Sequence, residues 1–483
     1  MRRSFAAKGA RGSRTSTDII QRVNIQSNQS IWDHRSNEPL ESTSDPYPRL
    51  KFDGFEYRTD DWYNIPLSIV TALPRRLHLE KSHPISITRQ LIESRFPPPI
   101  YKHHNTLSPI VSVAQNFDSL GFPLNHPGRN RTDTYYVNKD TVLRTHTSAH
   151  QADTFRANES EGYTISADVY RRDAIDRSHF PVFHQMEGVR MWDRRKVPGR
   201  DVVKAIWEDT NSLMKHYMKV EDPNPTIHPE RNPMQAEHHS VEEVEAIAAH
   251  LKRSVEDVVV EIFSKAKWAA LAAGETIPEE PLKIRWIEAY FPFTSPSWEL
   301  EVFWQGDWLE LVGCGVVKQE LPINAGVPDR IGWAFGIGLE RIAMLLFSIP
   351  DIRLFWSTDS RFLSQFTPAE FKRFLPFSRH PACYKDVSFW LRSSSNSAGG
   401  GSGSNAQDFH ENDVMEIVRE VGGNLVEDVK LVDQFSHPTS GRKSLCYRIN
   451  YRSLERTLHN AEANDIHLAV KQGLTEKLGV EIR

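Results

Sequence analysis

The sequence predicts an α+β protein: an antiparallel sheet flanked by helices, followed by a smaller terminal domain of order βαββαβ. Three observations lead there. Apolar residues alternate with period two in ISADVYRRD (165–173) and VFHQMEGVRMW (182–192), the pattern of half-buried strands. They recur at helical spacing in VEEVEAIAAHLKRSVEDVVVEIFSKAKWAALAAG (241–274). A Gly/Ser-rich run, SSSNSAGGGSGSNAQ (393–407), interrupts the last stretch of strands and helices without hiding their order.

Length and composition bound the answer. At 483 residues the chain is too long for one compact core. Its 39% hydrophobic and 25% charged content is that of an ordinary globular protein. A net charge of -4 does not announce a nucleic-acid binder, so any basic surface must be local. Cys314, Cys383 and Cys446 are far apart and make neither a C-x-x-C metal pair nor a disulfide framework. That suits a reducing compartment, and no metal site is expected from the chain's own ligands. No stretch approaches the roughly 18 consecutive apolar residues of a membrane span.

The elements follow in order. Residues 1–22 carry Arg2, Arg3, Lys8, Arg11, Arg14 and Arg22 against one acid, Asp18. This is the composition of a mitochondrial import peptide, here bounded at 1–25, or of a basic tail. Residues 26–100 are expected to form an irregular arm and helical pieces interrupted at Pro66, Pro74 and Pro84. Their basic residues Arg75, Arg76, Lys81, Arg89 and Arg95 either meet a phosphate backbone or line a solvated helix face. The central domain, 101–365, holds the two strands above, helices over 200–275, and further strands in IRWIEAYFPFT (284–294), WELEVFWQ (298–305) and WLELVGCGVV (308–317), with Gly306-Asp307 near a turn. A linker at 366–377 leads to residues 378–483. There the order strand, helix, strand, strand, helix, short strand is ferredoxin-like.

Two segments carry chemistry. In GWAFGIGLERIAMLLF (332–347), Gly332, Gly336 and Gly338 punctuate a strand-to-helix junction where backbone passes close to a ligand. Leu339, Ile342, Ala343 and Leu346 form a buried stripe that leaves Arg341 off it. Arg341 then either aims a guanidinium at phosphate or joins Glu340 in a solvated pair. Arg171, Gln185 and Glu187 fall on adjacent strands. Separately such residues are ordinary cross-strand partners. Together with the glycine–arginine helix they look like two halves of one nucleotide site, with Gln185 and Glu187 suited to an amide-like or ammonium group.

At these residues the sequence resembles class II aminoacyl-tRNA synthetases and, within them, the single-chain mitochondrial phenylalanyl-tRNA synthetases. The resemblance covers nearly the whole chain. It rests on HPGRNRTDTYYV (126–137), LRTHTSAHQ (143–151), SADVYRRD (166–173), FHQMEGVR (183–190), FPFTSPSWELEV (291–302), WLELVGCGVV, DRIGWAFGIGLERIAMLLFSIPDIRLFW (329–356) and the segment from SRHPACYKDVSFWL onward. The three class II motifs correspond to the regions around Pro127, Arg171 through Glu187, and Gly336 through Arg341.

The resemblance implies ATP-dependent ligation of phenylalanine to tRNA(Phe) through an adenylate. The expected agent is a monomer in the mitochondrial matrix that takes ATP as substrate with Mg2+. Arg171 is similar to the arginine that clamps the α-phosphate, and Arg341 to the one that meets the γ-phosphate. Phe180 matches the aromatic that stacks on adenine, Glu310 a carboxylate of the nucleotide and magnesium region, and Ser178 and His179 residues near the adenylate. Ser148, His150, Gln151, Gln185 and Glu187 look like binders of the substrate ammonium and carboxylate, with Met186 and Phe335 in the same phenylalanine site. Selection of a phenyl ring must come from shape and edge-to-face contacts worth ~1 kcal/mol each. Phe291 and Phe293 can provide them from one strand face, although FPF also fits plain core packing; Ala334 resembles the small residue at the pocket floor.

The terminal domain resembles a ferredoxin-fold anticodon-binding module. Tyr447, Ile449 and Tyr451 alternate with Arg448 and Arg452. Either the tyrosines stack on unpaired bases or they are core and the arginines are solvated. Candidate phosphate contacts are Lys430, Arg442, Lys443, Arg448, Arg452 and Arg456. On this division residues 378–483 serve the tRNA and are not needed for amino-acid activation.

Overall fold

A computed structural model describes residues 23–25, 47–197, 199, 201–216, 218–276, 282–304, 306–368, 370–376, 380–392 and 409–483. The Gly/Ser-rich insert and all of the expected leader except Val23–Ile25 lie outside the described residues.

The larger sheet has eight strands: β1 (Tyr101–His104), β2 (Gly162–Tyr170), β3 (Val182–Asp193), β4 (Val220–Glu221), β5 (Ile284–Glu288), β6 (Thr294–Trp304), β7 (Asp307–Val317) and β8 (Arg330–Gly338). Their spatial order is β4-β5-β6-β7-β8-β3-β2-β1. Pairing is antiparallel throughout the interior, but β1 runs parallel to β2 and β4 parallel to β5. The expected antiparallel sheet therefore has parallel edges.

Three helices cover one face: α1 (Pro84–Glu93), α2 (Val241–Ala272) and α3 (Leu339–Phe347). Ser240 and Glu243 close a capping box at the start of α2, satisfying two of the N–H groups that a helix end leaves open. In α3 the stripe Leu339, Ile342, Ala343 and Leu346 is buried against the sheet, and Arg341 stays exposed.

One core runs from Leu50 to Phe374 and takes in the N-terminal helices as well as the sheet. The arginines Arg75, Arg76, Arg89 and Arg95 bind the protein itself, while Lys81 is exposed. Arg75 Nη1 donates to the Trp356 carbonyl at 2.7 Å, and Arg76 Nη1 to the Thr106 carbonyl at 3.1 Å. Arg89 pairs with Glu93, and Arg95 makes a two-pronged bond to Asp257 at 2.8 and 2.9 Å. Val23–Ile25 pairs antiparallel with Leu50–Phe52, so the leader boundary expected at residue 25 coincides with the end of a strand joined to the body.

The terminal domain contains β9 (Cys383–Trp390), α4 (Glu411–Gly422), β10 (Val426–Ser436), β11 (Lys443–Tyr451), α5 (Asn460–Leu478) and β12 (Glu481–Ile482). The sheet order β10-β11-β9-β12, antiparallel at every pair, is the ferredoxin-like arrangement. Its core holds Val387, Phe389, Tyr447, Ile449 and Tyr451 beneath Val414, Val418, Val470 and Leu474 of the helices. Tyr447 and Tyr451 are 1% and 0% exposed. Of the two readings of these tyrosines, the core one is correct, because the helices cover that side of β11. The opposite side presents Trp390 and Phe435, which flank Ser444 in register.

Candidate active site

The face of the large sheet away from α1–α3 lines a cavity of about 600 Å3. Strand register explains why these residues meet there. Glu187 on β3 lies opposite Gly336 on β8, which in turn lies opposite Gly313 on β7; Gln185 lies opposite Gly338. A Cβ at Gly336 would meet no atom within 4 Å, so bare backbone fronts open space. A Cβ at Gly313 would lie 2.8 Å from Phe291 Cζ. Glycine there lets the phenylalanine ring stand directly on the sheet.

The phosphate-type residues converge. Arg171 follows the last residue of β2, where its N–H still donates to the Pro181 carbonyl at 3.0 Å. Its Nε donates to the Thr145 carbonyl at 2.8 Å, and its guanidinium sits 5.2 Å from the Phe183 ring centre. The side chain is thereby fixed before any ligand arrives, with the Nη groups as its remaining donors. Arg341 enters the same cavity from α3, with Nη1 bonded to the Glu310 carbonyl at 2.8 Å. Its neighbour Glu340 is 4% exposed and engaged with His184. That removes the alternative of a solvated Glu340–Arg341 pair.

Glu187 is 3% exposed and takes bonds from Ser148 Oγ, from Gln151 Nε2 at 3.3 Å and from Tyr163 OH at 3.4 Å. Burial outweighs these donors and raises its carboxyl to about 7. Phe291 and Phe293 both line the cavity, their rings stacked 6.2 Å apart at 16°. They stand in the loop before β6 rather than on a strand as expected, because Pro292 between them cannot donate to a ladder. Ala334 lies beneath, on the same side of β8 as Gly336.

Of the expected site residues, Ser148, Arg171, Ser178, His179, Phe180, Gln185, Glu187, Glu310, Phe291, Phe293, Ala334, Phe335 and Arg341 line this cavity. Others are placed elsewhere. Met186 is fully buried in the core, on the opposite side of β3 from Gln185 and Glu187. Phe335 contributes only backbone: its ring crosses to that same side, over Gly188, and packs against Phe96 at 5.2 Å and Trp333 at 6.0 Å. His150 bonds to Arg144 at 2.9 Å, and Gln151 stands behind Glu187. Phe180 is stacked 5.5 Å from Trp356, so one of its faces is already covered.

Among the lining residues that sequence reasoning passed over are the rings of His146, Phe183 and Phe122. His146 lies parallel to Phe122 at 5.5 Å and is pushed down to about 3 by burial and by nearby Arg171. Phe183, on the Gln185 side of β3, offers an aromatic surface beside Arg171. Period-two alternation identifies Phe183 with Gln185 and Glu187; nothing in the local pattern singles out Phe122.

Among the candidate RNA contacts, Arg448 forks onto Asp386 with two bonds of 2.8 Å, Arg442 bonds to Glu481 at 2.7 Å, Arg456 to Glu462 at 2.9 Å and Arg452 to Glu427 at 3.1 Å. Lys430 and Lys443 are exposed. Arg442 and Arg483 both lie over the Trp390 ring, at 5.4 and 5.5 Å.

Comparison with known proteins agrees with this geometry. Residues 68–213 and 242–366 match the family model for the tRNA synthetase class II core domain (F), and 378–483 match the ferredoxin-fold anticodon-binding domain. The chain is 46% identical over 455 residues to the mitochondrial phenylalanine–tRNA ligase of Saccharomyces cerevisiae, covering 90% of this chain and 95% of that one. It is 40% identical over 445 residues to that of Mus musculus, covering 90% and 89%. Against the chloroplastic/mitochondrial enzyme of Arabidopsis thaliana it is 40% identical over 430 residues, covering 88% and 83%. The glycine-lined sheet face, the arginine on each side of it and the terminal ferredoxin fold are thus the parts of one family, and the chain belongs to the mitochondrial phenylalanine–tRNA ligases of class II.

Proposed function

We propose that the cavity binds phenylalanine and ATP side by side, joins them as phenylalanyl-adenylate, and passes the phenylalanyl group to tRNA(Phe). The observation that carries this reading is the meeting of Arg171, Arg341, Glu187 and the Phe291–Phe293 pair on one cavity.

The chemistry is positioning and charge stabilisation. The substrate carboxylate attacks the α-phosphorus in line, forming the mixed anhydride as the bond to pyrophosphate breaks. Arg171 holds the α-phosphate through its Nη groups, where negative charge grows. Arg341 holds the far end of the triphosphate. Glu187, oriented by Ser148 and Gln151, takes the substrate ammonium, and the phenyl ring enters between Phe291, Phe293 and Ala334. Adenine lies against Phe183, with the loop residues Ser178, His179 and Phe180 around it. The tRNA ribose hydroxyl then attacks the anhydride carbonyl and AMP leaves. No side chain needs to act as nucleophile.

Mg2+ enters as part of the ATP substrate. The residues present suit it: Glu310 lines the cavity, and Glu299 is raised by burial and by the charges of Glu310 and Glu301, a repulsion that a divalent cation relieves. Among the described residues no group of three or more His, Cys, Asp or Glu could hold a metal, so triphosphate oxygens and water would complete its coordination.

Anticodon bases would stack on Trp390 and Phe435 at the open face of the terminal sheet, with Arg442, Arg448 and Arg483 and the exposed Lys430 and Lys443 near phosphates. The basic leader and the mitochondrial relatives support work in the mitochondrial matrix, by a monomer whose site is complete within one chain. Among the described residues no helix is long and apolar enough to cross a membrane.

The test is ATP–pyrophosphate exchange across a panel of amino acids. Exchange stimulated by phenylalanine above all others, and lost in Arg171→Ala, is expected. Stimulation by another amino acid, or an unaffected Arg171→Ala, would reject the reading.

A further inference from the structure

The loop joining β2 to β3 has two halves with different attachments. Ser178, His179 and Phe180 line the cavity. The preceding residues are gripped by the terminal domain. The Val429 N–H donates to the Ile175 carbonyl at 3.0 Å. Arg419 Nη2 donates to the carbonyls of Asp173 and Ala174, at 2.6 and 3.4 Å. The Ile175 side chain, 8% exposed, is packed in the core of the terminal domain and not in that of the catalytic domain. Arg177 pairs at 2.8 Å with Glu427, a carboxylate 2% exposed that Arg452 also reaches.

A single residue joins the halves. Asp176 accepts from the N–H groups of Ser178 and His179 at 2.7 and 2.8 Å and holds His179 Nδ1 at 2.7 Å. Among the described residues, the hydrogen bonds that reach the carbonyls of Asp173, Ala174 and Ile175 from outside the loop come from the terminal domain. Beyond that point the catalytic domain holds the loop, the Ile352 N–H donating to the Arg177 carbonyl at 2.9 Å and Phe180 stacking on Trp356. Loosening the terminal-domain bonds releases the residues before the Asp176 turn and lets the turn shift against those anchors. Segments held by so few contacts open locally at low cost, and small misplacements of binding groups are expensive in rate.

We propose that Ile175 and Arg419 are positioning residues for adenylate formation: the terminal domain shapes the ATP-facing loop, and its role is not confined to tRNA. This replaces the sequence-based expectation that residues 378–483 are dispensable for activation. It rests on the reading that Ser178–Phe180 meets ATP.

The experiment is tRNA-free, phenylalanine-dependent exchange with the full chain. Ile175→Ser and Arg419→Met are expected to raise KM for ATP roughly tenfold while KM for phenylalanine stays within about twofold, and Ile175→Val to restore the wild-type value. Arg177→Ala, which leaves Glu427 paired with Arg452, is a milder variant expected to shift KM for ATP in the same direction even if the others fold poorly. His179→Ala separates the two claims. If it leaves KM for ATP unchanged, the placement of ATP is wrong. If it raises KM for ATP while Ile175→Ser, Arg419→Met and Arg177→Ala do not, the positioning role is wrong. Equal loss of affinity for both substrates would also overturn the proposal, marking a general fold defect.

Discussion

His184 sits 2.7 Å from Glu340 through Nδ1, and its backbone N–H donates to the same carboxylate at 2.8 Å. Both residues are buried, and each immediately precedes a cavity residue, Gln185 and Arg341. The pair therefore ties the start of α3 to β3 and sets the distance across which a triphosphate and an amino acid would lie.

Glu340→Ala should cost about 1–3 kcal/mol, since it leaves two buried donors without a partner. Denaturant unfolding measures this directly. Unchanged stability would show that the pair is not a structural tie.

Glu187 makes phenylalanine binding pH-dependent. Its carboxyl, raised to about 7 by burial, must be ionised to hold an ammonium. KM for phenylalanine should rise as pH falls below that value, by roughly tenfold per unit, while KM for ATP stays flat. The linkage to stability has the opposite sense: the native state holds the proton more tightly than the unfolded chain, so burying Glu187 destabilises increasingly as pH rises from 4.5 to about 7. Glu187→Gln should weaken phenylalanine binding, flatten its pH profile and add stability at pH 8 relative to pH 5. A pH profile that survives the substitution would assign the titration to another group.

Ala334→Val places two methyl groups where the ring would sit. KM for phenylalanine should rise about tenfold or more, near the 1–3 kcal/mol a misfitting pocket atom costs, with KM for ATP unchanged. Equal effects on both would place Ala334 outside the ring pocket.

Much of this was readable in the sequence because the chemistry sits on periodic elements. Alternation identified the strand that Arg171 directly follows and the strand carrying Gln185 and Glu187, and the glycine spacing marked the β8–α3 junction. The differences have physical causes. Period two puts the Met186 side chain on the opposite face from Glu187, in the core, and by the same alternation Phe335 lines the cavity with its backbone while its ring crosses to the other face from Ala334. His150 is expected at the site, yet His146 is the one that reaches the cavity, because a short helical turn at Thr147–His150 swings His150 toward Arg144. Tyr447 and Tyr451 were ambiguous because alternation shows that two faces differ but not which one the helices cover. The grip of the terminal domain on Ile175 joins residues 254 positions apart from Val429, and no local pattern reports it.

Trp390→Ala with Phe435→Ala should raise KM for tRNA in aminoacylation at least about tenfold, given 1–3 kcal/mol for each stacked base, and leave exchange unchanged. Tyr447→Phe, a change within the core, should leave KM for tRNA unaltered. The reverse ranking would move the RNA surface to the other side of the sheet.

A crystal structure of the chain with a non-hydrolysable phenylalanyl-adenylate analogue is the most direct test. The expected result has the phosphate within about 3 Å of Arg171 Nη, the ammonium on Glu187 and the phenyl ring between Phe291 and Phe293 above Ala334. An analogue bound with its phosphate away from Arg171, or its ring outside that slot, would contradict the assignment.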